Sequence, residues 1–420
     1  PAVAILATMD VKDGKPDVAR KRFEALVEKK PGDIRALLGL AKLTADTGGL
    51  PSEVRALLAR AHDADPNSEI AALAYAQSLV AEGKTADAIQ LLDSNIRNHP
   101  DWTRAQEALA SVHIRAGEKE KARTLVDRIA RARPDDAGTQ FRTGALYNNL
   151  GDFAAALERF QRAQALKPDA AEPRVNIALA QARMGRMDDA HATAQALQKD
   201  HPRNPVGWAL EGELLRSAQK WREAAAAFGK AAALEPALGA NAFRQHDSLL
   251  RAGATDEAEK LLQGWLASPE NEANLSLYLG ERALGRQDYA EAARRYETAV
   301  KADPRNVIAR NNYAWALHQL KDPRALEVAE EAYRRAPNAA AVVDTLAGIL
   351  EDGKQTQRAL EMRRRAAALA PTSADLRLRY AQALKASNDR DAARREFEAI
   401  SRDFPGTPQA ETATRASAEL

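Results

Sequence analysis

No stretch of the chain alternates apolar and polar residues with the period of two that a half-buried strand requires, so no sheet is predicted. Ala-rich helical stretches recur instead, and each ends at a proline. The prolines are Pro31, Pro66, Pro100, Pro134, Pro168, Pro202, Pro236, Pro269, Pro304, Pro337, Pro371 and Pro405, spaced 33 to 35 residues apart. Proline lacks an amide proton and biases the residue before it out of the helical region, so each one marks a helix stop. A second punctuation falls 17 residues after a proline, at Gly83, Gly117, Gly151, Gly185 and Gly253, where glycine supplies a left-handed residue between two helices. Lys220 and Asn388 are read as its replacements in two repeats. Each period is therefore two antiparallel helices of about 12–15 residues, and the fold class is all-α.

Small residues recur where paired helices must approach closely. Ala41, Ala76, Ala110, Gly144, Ala178, Gly212, Ala314, Ala347 and Ala381 follow a proline by ten residues; Ala88, Ala122, Ala156, Ala190, Ala224, Ala258, Ala359 and Ala393 follow one by twenty-two. Large residues such as Tyr147, Phe153, Phe160, Trp208, Trp221, Phe228, Tyr289 and Tyr296 fill the intervals. This pattern resembles the tetratricopeptide repeat (TPR), with residues 135–168 the best match. The resemblance implies a right-handed superhelical solenoid of about twelve helix-turn-helix repeats. Residues 1–33 read as a truncated first repeat, 34–405 as eleven repeats in one continuous solenoid, and 406–420 as a capping segment whose Gln409, Glu411, Thr412 and Arg415 suit a solvated face. The repeat at 237–269 departs most, because His246 stands where a small residue belongs, and local distortion is expected there.

Composition narrows the functions. Lys plus Arg is 61 against 59 for Asp plus Glu, a net charge of +2, which argues against a dedicated nucleic-acid binder. No apolar run approaches the roughly 18 residues a membrane span needs. Without cysteine there is no disulfide, thiol nucleophile or thiolate metal site. The opening Pro1-Ala2-Val3-Ala4-Ile5-Leu6 has no Met, basic segment or cleavage pattern and reads as a piece of a longer protein. The seven histidines include none at metal-ligand spacing, and no phosphate-loop, dinucleotide or nucleophile-elbow motif occurs. No catalytic residue, metal or cofactor is therefore assigned. The basic clusters Arg363-Arg364-Arg365, Arg334-Arg335 and Arg394-Arg395 sit among Glu361, Glu330, Glu331, Glu396 and Glu398, and read as ion pairing along helix surfaces.

What remains is the inner groove, whose lining positions follow from the TPR resemblance. They place Asn311, Asn312, Trp315 and His318 on one helix, Asp344 on the next repeat and Glu281 on the previous one, with Asn148 and Phe141 further along. Asn311, Trp315 and His318 share a face by their spacing of four and three. The Lys/Arg/Asn set with which some chaperone-binding TPR domains clamp a carboxylate is not reproduced. The last quarter of the chain, including Asn311-Asn312-Tyr313-Ala314-Trp315-Ala316-Leu317 and Val343-Asp344-Thr345-Leu346-Ala347-Gly348, resembles bacterial TPR lipoproteins associated with PEP-CTERM sorting and exopolysaccharide export. That resemblance implies a periplasmic or outer-membrane-attached scaffold that binds other proteins or peptides and no nucleic acid, with a lipid anchor on the parent chain. A cytosolic peptide-binding adaptor or co-chaperone, and the helical arm of an enzyme whose catalytic domain lies elsewhere, are the alternatives.

Overall fold

The computed structural model describes residues 2–235 and 237–420, with the side chains of residues 2–4 and 12 left out of account; Pro1, and Pro236 of the proline ladder, lie outside the described residues. Among the described residues there are 25 α-helices, one 3-10 turn (Pro269–Asn271) and no strand. The α-helices run 11–14 residues and pair through short turns, as Ala137–Leu150 pairs with Phe153–Leu166. The fold is an all-α, TPR-type stack of helix pairs.

Helix entry is encoded just after the prolines. Asp33, Ser68, Asp136, Asn306, Ser373 and Thr407 each stand two residues beyond a proline and accept a backbone N–H at the third residue of the helix that follows. A short oxygen-bearing side chain there satisfies one of the four otherwise unpaired donors of a helix start. Helix exit uses left-handed residues: Gly83, Gly117, Gly151, Gly185 and Gly253 have φ between 73° and 83°. Asn388 takes the same conformation, but Lys220 does not; Gln219, at φ 58°, is the left-handed residue of that repeat. Counting 17 residues from Pro202 arrives at Gln219, and glutamine hides the position because its side chain carries no preference for it.

The small residues lie where the helices touch. The nine at the first small position are all buried, and so are the eight at the second. At Gly144 a Cβ would stand 2.7 Å from the Phe160 ring, and at Gly212 one would stand 2.6 Å from Phe228. Each glycine is thus the floor of a slot filled by a phenylalanine of the partner helix.

The chain divides into two compact units. One comprises Pro1–Ala105, Ala283–Val300 and Pro304–Leu420; the other comprises Gln106–Arg282 and Lys301–Asp303. The expected distortion falls in the second. There Ala240–Arg251 and Thr255–Leu266 shorten to 12 residues, and the 3-10 turn follows them. His246 is 4% exposed in place of a small side chain, and its Nδ1 lies 2.8 Å from the Tyr278 hydroxyl.

Candidate functional site

In the first unit the helix Val307–Gln319 starts on the Asn306 cap. It buries Ala309, Arg310, Tyr313, Ala314, Ala316 and Leu317, which turns Asn311, Trp315 and His318 to its other side. Trp315 is 39% exposed and meets His318 edge-on at 5.8 Å. Asn311 is half-buried; its Nδ2 reaches Asn312 Oδ1 at 3.5 Å, and its Oδ1 has no hydrogen-bond partner among the described residues. Asn312 donates to the Tyr296 hydroxyl at 3.4 Å. His318 Nε2 lies 2.8 Å from Asp352 Oδ2, at the end of the helix Ala340–Asp352, while its buried Nδ1 finds no partner among the described residues. The face therefore carries an open indole beside two buried polar atoms without partners. Such atoms are costly to leave unpaired, and a ligand's amide could satisfy them.

Asp344, on the next repeat, is held in a network of ion pairs. Its carboxylate, 12% exposed, accepts from Arg363 and from Arg379. Arg363 also donates through Nε and Nη2 to Glu351 at 2.8 and 2.5 Å. This corrects the surface reading of the Arg363 cluster. Arg363 is 7% exposed and turned inward, Arg365 donates to main-chain carbonyls, and Arg364 remains exposed. Arg335 keeps the predicted helix-surface pair with Glu331. Glu351, Arg363, Arg379 and Gln382 line a cleft of about 400 Å³ with Leu360 and Ala386.

The other three predicted residues belong to the second unit. Phe141 is half-buried against Phe160, with ring centroids 5.5 Å apart, so much of its surface serves packing. Asn148 is exposed near the end of Ala137–Leu150, and its carbonyl accepts from Gly151. Next to it the Tyr147 hydroxyl donates to Asp127; burial first, and then that carboxylate, hold its pKa well above the tyrosine range. Glu281 is exposed on Glu272–Gly285.

One cluster was not read from the sequence. Phe243 stacks on Tyr278 at 4.3 Å and meets Trp265 edge-on at 5.9 Å, with His246 against both Trp265 and Tyr278. Burial lowers the His246 pKa and Arg282 lowers it further, against Asp247 and Glu259. The sequence marks this cluster only through His246, in a small residue's place, and Phe243, at a groove-lining position by the TPR resemblance. Among the described residues no group of three or more His, Asp or Glu could hold a metal, and no helix is long and apolar enough to cross a membrane.

Comparison with known proteins places these repeats in a family. Models described as tetratricopeptide repeat match residues 6–69, 277–340 and 350–416, and one described as the N-terminal TPR repeats region of Psidin matches 78–234. The chain is 31% identical over 140 residues to cellulose synthase 2 operon protein C of Komagataeibacter xylinus, covering 32% of this chain and 10% of that protein. It is 29% identical over 198 residues to cellulose synthase operon protein C of Pseudomonas fluorescens (strain SBW25), covering 44% and 15%. The chain thus spans only a small part of the curated relatives it matches. Among solved structures, yeast Tom70 is similar at TM-score 0.44 and 16% identity, covering 100% of this chain and 94% of that one. The Cut9–Hcn1 tetramer of APC/C is similar at TM-score 0.41 and 13% identity, covering 99% and 96%.

Proposed function

The chain belongs to the tetratricopeptide-repeat proteins, and we propose that it is a non-enzymatic scaffold that holds partner proteins for exopolysaccharide export or surface-protein sorting, in the periplasm or at the outer membrane of a bacterium. The likeness to two cellulose synthase operon proteins C carries this reading, since both names tie such repeats to polysaccharide synthesis. The resemblance of the last quarter of the chain to PEP-CTERM-associated lipoproteins points the same way. Residues 1–33, 34–405 and 406–420 are then a truncated repeat, the working solenoid and its cap. A solenoid suits the task because its surface is long and preformed, so a partner orders little of it on binding.

The binding face of this proposal is centred on Trp315, with Asn311, Asn312 and His318 beside it and Asp344 held by its arginines on the next repeat. Glu281, Asn148 and Phe141 are assigned to the groove lining of their own repeats, within the second unit. Tryptophan is the side chain most enriched at interface hot spots, and an asparagine amide pairs with extended backbone. Pull-down of native partners by the wild type and by Trp315→Ala tests the face. The expected loss is about 2 kcal/mol or more in binding with the far-ultraviolet spectrum unchanged. Undiminished capture would remove Trp315 from the site. Fractionation of the source bacterium tests the location: chain found in the cytosol would favour a peptide-binding adaptor. Turnover of a sugar nucleotide by the purified chain would end the non-enzymatic reading.

A further inference from the structure

Two turns of the first unit that are almost 300 residues apart in sequence are hydrogen-bonded to each other. Asn338 Nδ2 donates to the Ala45 carbonyl at 2.9 Å, and Arg365 Nη2 donates to the Gly48 carbonyl at 2.6 Å. Ala45 lies in the last turn of the helix Ile34–Asp46 and Gly48 just beyond its C-cap Thr47, at the helix end that attracts positive charge. Pro337 packs on the same turn, its Cγ 3.1 Å from where a Cβ on Gly48 would stand. The contact recurs in register. Thirty-five residues on from both Gly48 and Pro337, a Cβ on Gly83 would stand 3.3 Å from Thr372 Cγ2.

The repeat at 135–168 shows what the same residues do without such a contact. There Arg162, 28 residues after its proline, donates through Nε to the Pro134 carbonyl at 3.1 Å and through Nη2 to Asp135 at 2.5 Å. Arg365 stands 28 residues after Pro337 and makes the same Nε bond to its carbonyl at 3.0 Å. But the residue after Pro337 is Asn338, not aspartate. The guanidinium has no local carboxylate at that position, and its second donor goes to Gly48. The asparagine amide, which aspartate lacks, goes to Ala45. With asparagine in place of aspartate, the arginine donor goes to a distant carbonyl and the amide adds a second donor to the same turn.

We propose that Asn338 and Arg365 form a reversible polar clasp that fastens the turn at Ala45–Gly48 to the turn at Pro337–Asn338, and that the residue at position 338 decides whether the clasp is closed. The bond to Ala45 is exposed, so water competes for it, while the bond to Gly48 is part-buried at a buried glycine. Asn338 stands one residue before Ala339, the N-cap of the helix Ala340–Asp352, so the clasp holds the N-terminal end of the element that carries Asp344, Glu351 and Asp352.

The absence of cysteine gives a direct test. A Cβ on Gly48 would lie 3.6 Å from Pro337 Cβ, within the range a disulfide spans. The double variant Gly48→Cys/Pro337→Cys of the full chain should form an intramolecular disulfide under mild oxidation. In the Asn338→Asp background its formation should slow at least tenfold, because aspartate recaptures Arg365 and sets a carboxylate against the Ala45 carbonyl. Gly48 has φ 94°, which strains any replacement, so hydrogen exchange on the native Gly48 chain supplies the second reading. Asn338→Asp and Arg365→Ala should each speed exchange across residues 44–50 about tenfold, with helical content unchanged. Equal disulfide rates in both backgrounds, or exchange at 44–50 that neither variant alters, would each overturn the clasp; if strain at position 48 prevents the disulfide, the exchange result decides.

Discussion

The smallest side chains carry the largest single-residue effects. The ring of Phe160 occupies the space a Cβ on Gly144 would need, and Ala178 is completely buried. Gly144→Leu and Ala178→Leu are each expected to cost about 1–3 kcal/mol through overpacking, whereas Arg364→Ala at an exposed position stays within about 0.5 kcal/mol. Chemical denaturation of the three variants gives the order directly, and equal midpoints would contradict this packing. Trp315→Ala belongs with the mild changes. At 39% exposure the indole is not a core residue, so the expected stability loss is well short of the roughly 3–5 kcal/mol of a buried tryptophan. The small positions were legible because helix contact tolerates little else there and the spacing repeats. The left-handed turn at Gln219 was not, since nothing in a glutamine marks positive φ.

Elements add interactions that spacing cannot order. The 3.6-residue period put Arg363 on a helix with glutamates nearby, and a surface pair was the simplest outcome. In the folded repeat, the guanidinium instead crosses to Asp344 and Glu351 on the preceding helix and fills the space between them. Arg363→Ala leaves Asp344 mostly buried with only Arg379 to balance it. The expected cost is about 3 kcal/mol, with exchange rising first in the helices Ala340–Asp352 and Thr356–Leu369; a cost within 0.5 kcal/mol would return Arg363 to the surface class. His246 shows the same limit in an aromatic setting. Sequence marked it as a misfit, but only the folded helices bring Phe243, Trp265 and Tyr278 around it. Burial depresses its pKa below the ordinary 6.5, so the folded state holds fewer protons than the unfolded one. The stability this contributes is present above about pH 6.5 and is lost as pH falls through that value toward the folded pKa. Thermal melts at pH 7.5 and 5.0 should therefore differ more for the wild type than for His246→Gln, and equal differences would assign the pH dependence to other groups.

For the whole molecule, the sequence displays what repeats and conceals what happens once. The proline ladder, the small positions and the polar final helix all follow the 34-residue period, so fold class could be read from spacing alone. The hydrogen bonds from Asn338 and Arg365 to a turn about 300 residues away depend on the pairing of two distant repeats, which no spacing within a repeat announces. The periodic part has its own consequence for stability, because each helix pair leans chiefly on its neighbours. At the C-terminal end, Pro408–Ala418 covers a cluster in which Phe397, Ile400 and Ala393 are completely buried. Glu411 and Arg415 point its outer side to solvent, and Gln409 ties it to Asp375 at 2.8 Å. Removing residues 408–420 bares that apolar face with no polar helix to replace the cover. In a nearest-neighbour stack the damage should decay along the chain: protection against hydrogen exchange should fall strongly in Arg390–Asp403, less in Ala374–Ala386, and hardly at all in Ala137–Leu150. A uniform loss across all three helices would instead mean that the chain unfolds as one cooperative block, and stability could not then be assigned repeat by repeat.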